Sequence, residues 1–372
     1  MTELLPIVLI AMCFAILAET KSVKNPFDDG YRRKDAFFCV CMALAMALFV
    51  GLRTRYNDTT TYRHSYELLN VKSNLFNGMT WSLSSSIGFE LTQRVIKYLG
   101  GSVQTFLMIF AFFDVGVNIW FVRKYTDSLW ISFFLYIVTG CFTFNLAAIM
   151  QCTAMSLVLI AIDRLIEGKK LRFVLYVVLA MLFHTYAFMF LLAPLLFFTP
   201  WKKKTYVMLV GFMLIGLLLP KLLGIVVSLT SAMGESYSLD SFTGAGVNIM
   251  RFFVVCVPVA LSFFVRDQIE REGTRTDMLM LNLSTLNAEI MFVALFGTAN
   301  YFARLANYFL IFQTISLPWL FRFFRPSTRK LLTAAMVVCF VLYFYYQNGI
   351  VLPFDGLYDS MSLIDYVKSL IS

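Results

Sequence analysis

The sequence predicts an all-α fold, a polytopic bundle of transmembrane helices, and three observations carry that reading. Hydrophobic residues make up 59% of the 372 positions and charged residues only 14%, where a soluble domain carries roughly 25% charge. Mean hydropathy is +0.75. Apolar runs long enough to be helical spans recur from one end of the chain to the other, with mostly short polar connections between them. A chain of this length cannot enclose so much apolar surface in one core, so lipid must solvate most of it. That excludes an ordinary soluble enzyme.

At about 20 residues per crossing, the chain holds about 11 to 12 membrane segments. The runs are 4–17, 36–51, 103–121, 129–139 (extending towards 144), 147–162, a divided run over 173–198, then 206–227, 248–265, 278–296, 301–321 and 331–345. The first lacks a basic leader and is followed by Lys21 and Lys24, which reads as a retained span and not a cleaved signal peptide. Lys and Arg concentrate after the first, third and fifth runs, around 202–204, 266–275 and 322–330, and cytoplasmic loops carry that bias. Both ends of the divided run are basic, so it must cross an even number of times, as a pair of short helices turning near His184. The opposite, outer face then receives residues 54–102, the loop around Asn145, residues 230–246, the turn at 298–300 and the C-terminal tail. Tyr343, Tyr345 and Tyr346 would form an aromatic belt there.

The expected organisation is a single integral membrane domain, 1–372, containing an outer interfacial segment over 54–102 and ending in an amphipathic tail over 350–372. Both have apolar residues at helical spacing that would lie along the interface, and the first is too polar to span. The net charge of +9 belongs to the cytoplasmic loops, so nucleic acid is not an expected partner. Most of the seven cysteines sit inside apolar runs and read as small buried hydrophobes. Neither a nucleotide-binding glycine loop nor a zinc pattern occurs, and the outer segment has no acidic pair spaced to hold a divalent ion, so no cofactor and no metal are expected.

Ionisable groups inside or beside spans are costly and mark function or anchoring. Arg53, Arg55, Arg251 and Arg304 all fall towards the outer face. Each could snorkel at the interface, but four guanidiniums with no lysine among them suit planar recognition of phosphate or carboxylate. His184 either caps the turn of the divided run or serves as an imidazole in a membrane cavity. Asp58 and Glu90 are the outer acids, whereas Asp114 and Glu289 lie deep in apolar runs as structural partners or a proton path. Gln151, at the outer start of the fifth span, could bond a ligand or a neighbouring helix.

These residues resemble the EpsG family of Wzy-like polysaccharide polymerases. The resemblance rests on Gly51-Leu52-Arg53 closing a span, Asp58-Thr59-x-x-Tyr62 after it, and Phe89-Glu90 before an amphipathic stretch. It continues through Asn145 to Ser156 with Gln151, the basic loop and Phe183-His184 pair between Arg172 and Leu192, and Ala303-Arg304 through Tyr308 to Pro318. Most of the chain is covered, in order. Met150 stands where the family usually carries arginine, so that arginine's role is absent here or taken over by Arg251 or Arg55.

The resemblance implies a GT-C-like membrane glycosyltransferase at the outer face of the bacterial cytoplasmic membrane. It would join oligosaccharide repeat units carried on undecaprenyl pyrophosphate, moving the growing chain to a new lipid-linked unit and releasing the lipid pyrophosphate. Arg53, Arg55, Arg251 and Arg304, with Gln151, Tyr62 and Tyr308, are the expected pyrophosphate- and substrate-binding residues. Asp58, Glu90 and His184 are the candidate catalytic groups. Donor, acceptor, membrane lipid and a chain-length regulator are the implied partners. Alternatives are a lipid-linked oligosaccharide flippase or other transporter using Asp114 or Glu289 for coupling, an O-antigen-ligase-like glycosyltransferase, and a non-enzymatic scaffold.

Overall fold

The computed structural model describes residues 3–24, 32–33, 35–71, 75–76, 78–79, 86–232, 246–297 and 299–351. The expected amphipathic tail, nearly all of the 230–246 loop, residue 298 and parts of 54–102 lie outside the described residues. Apart from a two-residue ladder pairing Val23–Lys24 with Arg32–Arg33, the regular structure described is helical.

Helices α1 (Leu4–Thr20) and α2 (Ala36–Gly51) follow the first two apolar runs, and Asp35 caps α2 by accepting from the Phe38 N–H. Side chains such as Leu5, Leu9, Phe37 and Leu44 stay exposed on them. So do many apolar residues of later helices, a surface that water would not tolerate and lipid does. The protein is a helical membrane protein. Helix α2 lies against α5 (Val103–Tyr125), and glycine makes the approach possible. A Cβ at Gly51 would strike the Met108 sulfur and sit against Ala111.

Between α2 and α5 the polar segment forms α3 (Thr59–Leu68) and α4 (Ile87–Tyr98), where apolar residues recur at helical spacing. Phe89 and Ile96 of α4 and Tyr62 and Tyr66 of α3 bury their rings and methyls against Phe106 and Phe110 of α5.

From here breaks govern the architecture. Helices α6 (Leu129–Val138) and α7 (Cys141–Ala147) meet at 47°, turning at Gly140, whose φ of +96° suits glycine. One residue, Ala148, then separates α7 from α8 (Ile149–Ile166). The divided run becomes α9 (Lys170–Met181), a turn through His184, and a 3₁₀ helix over Thr185–Leu196 containing Pro194. The expected pair of short helices is present, its second arm a 3₁₀ helix.

Helix α10 (Lys203–Ala232) contains the apolar run 206–227 and turns through 92° between Leu219 and Lys221. The residue between them is a proline, which removes a ladder N–H. Helix α11 (Ile249–Phe264) bends by 75° into α12 (Arg266–Glu272). Then α13 (Arg275–Val293), α14 (Ala299–Phe321) and α15 (Pro326–Tyr345) follow, the last continuing as a π-helical turn over Tyr346–Val351.

Among the described residues, α5, α8 and the final helix with its π turn are each long and apolar enough to cross a membrane, and three bent pairs pass the same test as units. Helices α1 and α2, of 17 and 16 residues, are shorter than that, as is the 3₁₀ arm.

Contacts gather the basic loops at one end of the bundle. Lys124 pairs with Asp163, Arg322 with Asp127, and Lys202 with Glu270. Ile269 and Trp319 share one small cluster beneath these pairs. At the other end stand Arg53, Asp58, Arg251, Arg304 and the π turn. A main core of buried apolar residues joins α1 to α14 between the two ends.

A polar cavity bearing Asp58, Arg251 and Arg304

A cavity of about 450 Å³ opens at the end opposite the basic loops. Four pieces of chain wall it: the turn Tyr56 to Asp58, the broken α6–α7–α8 stretch from Thr139 to Ala148, one face of α14, and Tyr343, Gln347 and Asn348 at the end of α15. Arg251 enters from the first turn of α11. The breaks explain why a cavity exists in so apolar a bundle. Non-helical backbone at membrane depth is stable only where protein buries it or a wet cavity serves its polar groups.

Local conformation sets Asp58. Tyr56 and Asn57 hold positive φ angles of 113° and 44°, and non-glycine residues rarely adopt the first without constraint. That constraint is visible next to it. Arg53 is 1% exposed; its Nε donates to Thr59 Oγ1 at 2.9 Å and its Nη1 to the Val50 carbonyl at 2.6 Å. The Thr59 hydroxyl donates in turn to the Leu146 carbonyl at the α7 end. Arg53 therefore pins the start of α3 to α2 and α7, and it does not line the cavity. Arg55 is exposed on the same turn and does not line it either.

Asp58 faces Arg304 across the cavity mouth, with Oδ2 3.9 Å from Nη2 and both side chains nearly half exposed. So open and long an ion pair is worth about 0–1 kcal/mol, and an incoming anion can take the guanidinium from it. Arg251 donates from Nη2 to Asn307 Oδ1 at 2.6 Å, which holds it over the same space one helical turn along from Arg304. Two guanidiniums, a carboxylate and the amides of Asn307, Gln347 and Asn348 thus converge. Gln347 Oε1 is buried and takes no hydrogen bond among the described residues.

Other expected residues sit behind this wall. Gln151 donates to the Arg304 carbonyl at 2.6 Å, fixing α14 from the α8 side. Tyr308 Oη and His184 Nδ1 are 2.9 Å apart, with the imidazole close to the rings of Tyr186 and Tyr308. Neither lines the cavity. Tyr62 stacks edge-on with Phe89. Burial, and behind it the Asp58 charge, push its phenol far above the usual range, so it stays a neutral hydroxyl. Burial likewise raises the Tyr56 phenol. Glu90 forms an i,i+4 pair with Arg94 at 2.7 Å and lies outside the cavity lining. Met150 packs against the Tyr62 and Phe89 cluster.

The deep acids do not line this cavity. Asp114 accepts from Thr153 Oγ1 at 3.1 Å. Glu289 is buried in α13 with no hydrogen-bond partner among the described residues.

Asn307, Tyr343, Gln347 and Asn348 line the cavity although the sequence marks none of them as a site residue. Tyr343 was expected in an aromatic belt, but it is buried against the cavity, and Tyr346 accepts from Asn248 at 2.9 Å. Only Tyr345 is exposed as a belt residue would be. The signal available was the polar triplet Gln347-Asn348-Gly349 closing the last apolar run.

Chemically the cavity can hold an anion on two guanidiniums, hydrogen-bond sugar hydroxyls through amides, and offer a carboxylate to one of them. Neither curated proteins nor solved structures match the chain. Its residues 36–357, covering most of the sequence, match the EpsG family. The chain belongs to the EpsG family, a family of Wzy-like polymerases.

Proposed function

We propose that the protein is a polysaccharide polymerase that joins undecaprenyl-pyrophosphate-linked oligosaccharide repeat units. The growing chain on its lipid is the donor, and a sugar hydroxyl of a new lipid-linked unit is the acceptor. The reaction occurs at the outer face of a bacterial cytoplasmic membrane, an orientation supported by the basic loops gathered at the far end. One observation carries the reading: Asp58, Arg251 and Arg304 converge on a single polar cavity in a chain of this family.

In the proposed reaction Arg304 leaves Asp58 for the pyrophosphate, and Arg251, steadied by Asn307, takes a second oxygen. Arg251 thereby serves in place of the arginine absent at Met150. Charge developing on the leaving pyrophosphate is stabilised by groups already in place, the largest single contribution in many enzymes. Asp58, freed from Arg304, accepts the proton of the acceptor hydroxyl as that oxygen attacks the anomeric carbon and the carbon–pyrophosphate bond breaks. Arg53, Gln151, Tyr308 and His184 act as positioning residues, because each holds an element that carries a cavity group. Glu90 is committed to Arg94. Since the pyrophosphate is already an activated leaving group, the step calls for no nucleotide.

The test is a strain lacking its own polymerase and complemented with this chain. Asp58→Asn or Arg304→Ala should abolish polymer while membrane abundance stays normal. Unchanged chain length in both variants would overturn the assignment.

A further inference from the structure

A second cavity lies on the opposite side of α14. With about 100° per helical residue, Ala303, Arg304, Asn307 and Leu310 face the polar cavity, and Phe302, Leu305 and Phe309 face away into a groove of about 760 Å³. The 3₁₀ arm, α10 and α13 form its other walls. Its lining is apolar throughout, and at one end Lys203 and Lys204 of the first α10 turn contribute their alkyl stems to it, their ammonium groups lying outside the lining. Leu192, Leu195 and Val207 on its rim are exposed, so the groove opens sideways into the lipid.

Those lysines lie at the basic end of the bundle. Lys204 Nζ sits 5.7 Å from the Phe198 ring centre, and Arg275 4.9 Å from that of neighbouring Phe197. Adjacent Lys202 is neutralised by Glu270, whereas Lys203, Lys204 and Arg275 have no acidic partner among the described residues. The N-terminus of a long helix adds partial positive charge at the same place. From Lys204 to Ile215, both on the groove wall, α10 rises about 16 Å, close to half of the roughly 30 Å hydrocarbon thickness.

We infer that this groove binds an anionic phospholipid, its phosphate at Lys203, Lys204 and Arg275 and an acyl chain along α10 and α14. Three unmatched cations at one end match an anionic headgroup, and a depth of one leaflet matches an acyl chain rooted there. The site goes beyond the polymerase reading and does not depend on it, for the groove shares α14 with the polar cavity but none of its lining residues. Bound lipid would brace the back of the helix that carries Arg304.

The full chain, purified in detergent, is titrated with phosphatidylglycerol or phosphatidylcholine, and bound lipid is counted by native mass spectrometry. Basic residues near a membrane surface each contribute on the order of fivefold in affinity for anionic lipid, so the wild type should prefer phosphatidylglycerol by at least that factor. Lys203→Gln with Lys204→Gln should remove the preference while a lipid still binds. Val207→Trp, at an exposed position on the rim, should exclude both lipids with the cations intact. An unchanged preference in the double lysine variant would overturn the inference. So would a polyprenyl phosphate that displaces phosphatidylglycerol from the wild type, since the groove would then belong to the substrate. Neither result would touch the polymer assay of Asp58 and Arg304.

Discussion

At the scale of single residues, groups that line the cavity, Asp58, Arg251 and Arg304, are distinct from groups that hold its wall, Arg53 and Gln151. Asp58→Asn removes a proposed proton acceptor without changing shape, so the polymerisation rate should fall by about 10²–10⁴. Glu90→Gln, which loosens only a pair with Arg94 on α4, should leave the rate within a fewfold of wild type in the same assay. Arg304→Lys keeps the charge but loses the planar fork that holds two phosphate oxygens. It should therefore fall between wild type and Arg304→Ala. Arg53→Ala should act through the fold. The charged bonds to Thr59 and Val50 are worth about 1.5–3 kcal/mol each, and their loss should lower the melting temperature along with the activity. The sequence revealed these arginines because charges stand out against apolar runs. It did not separate Arg53 from Arg304, since that depends on where each guanidinium points: one into Thr59 and a carbonyl, the other across a cavity mouth. Gln347 and Asn348 went unread because their role arises from a π turn, which leaves no periodicity to detect.

At the scale of elements, the breaks matter more than the spans. Gly140 lets α6 turn into α7 beneath the cavity, and its φ of +96° is one that β-branched residues avoid. Gly140→Val should cost about 1–2 kcal/mol of stability and impair polymer formation although no substrate contact is removed. Gly140→Ala should impair it less. Hydrophobic runs predicted α1, α2, α5, α8 and α14 well, because burial in lipid needs only length and apolarity. The bend within α10 at its proline, the bend between α11 and α12, and the 3₁₀ geometry after His184 are local departures from a straight helix, and a run of apolar letters looks the same with or without them. At the basic end, α8 closes on Asp163 and Glu167. Hydrogen bonding from Lys169, foremost, holds the Glu167 carboxyl below the usual carboxylate range. A carboxylate with a lowered folded-state pKa adds stability that is present at neutral pH and lost as pH falls through that folded value. Glu167→Gln should thus lower the melting temperature slightly at neutral pH, and the two melting curves should converge in acid. The group is exposed and solvent-screened, so the gap will be small.

Over the whole molecule, two ends with different chemistry are joined by one apolar core. Groups at one end, Lys124, Arg164, Lys202 and Arg322, meet acidic partners, while at the other end Arg251 and Arg304 face a cavity and Arg53 fixes its wall. The alternation of basic loops along the sequence anticipated this polarity, because topology follows charge in short loops. Cavity shape was not legible, since it is assembled from the turn before α3, the α6–α7–α8 breaks, α11, α14, α15 and the π turn across nearly 300 residues, positions 56 to 348. The central claim is that this cavity transfers a glycan from one lipid pyrophosphate to another. The most direct measurement incubates the purified protein in nanodiscs with its lipid-linked repeat unit, without nucleotide, and resolves the products by size. A ladder spaced by one repeat unit, formed by the wild type and missing from Asp58→Asn, is the predicted result. Unaltered substrate, in a folded preparation that binds it, would contradict the claim, and movement of that substrate between leaflets would assign the cavity to transport.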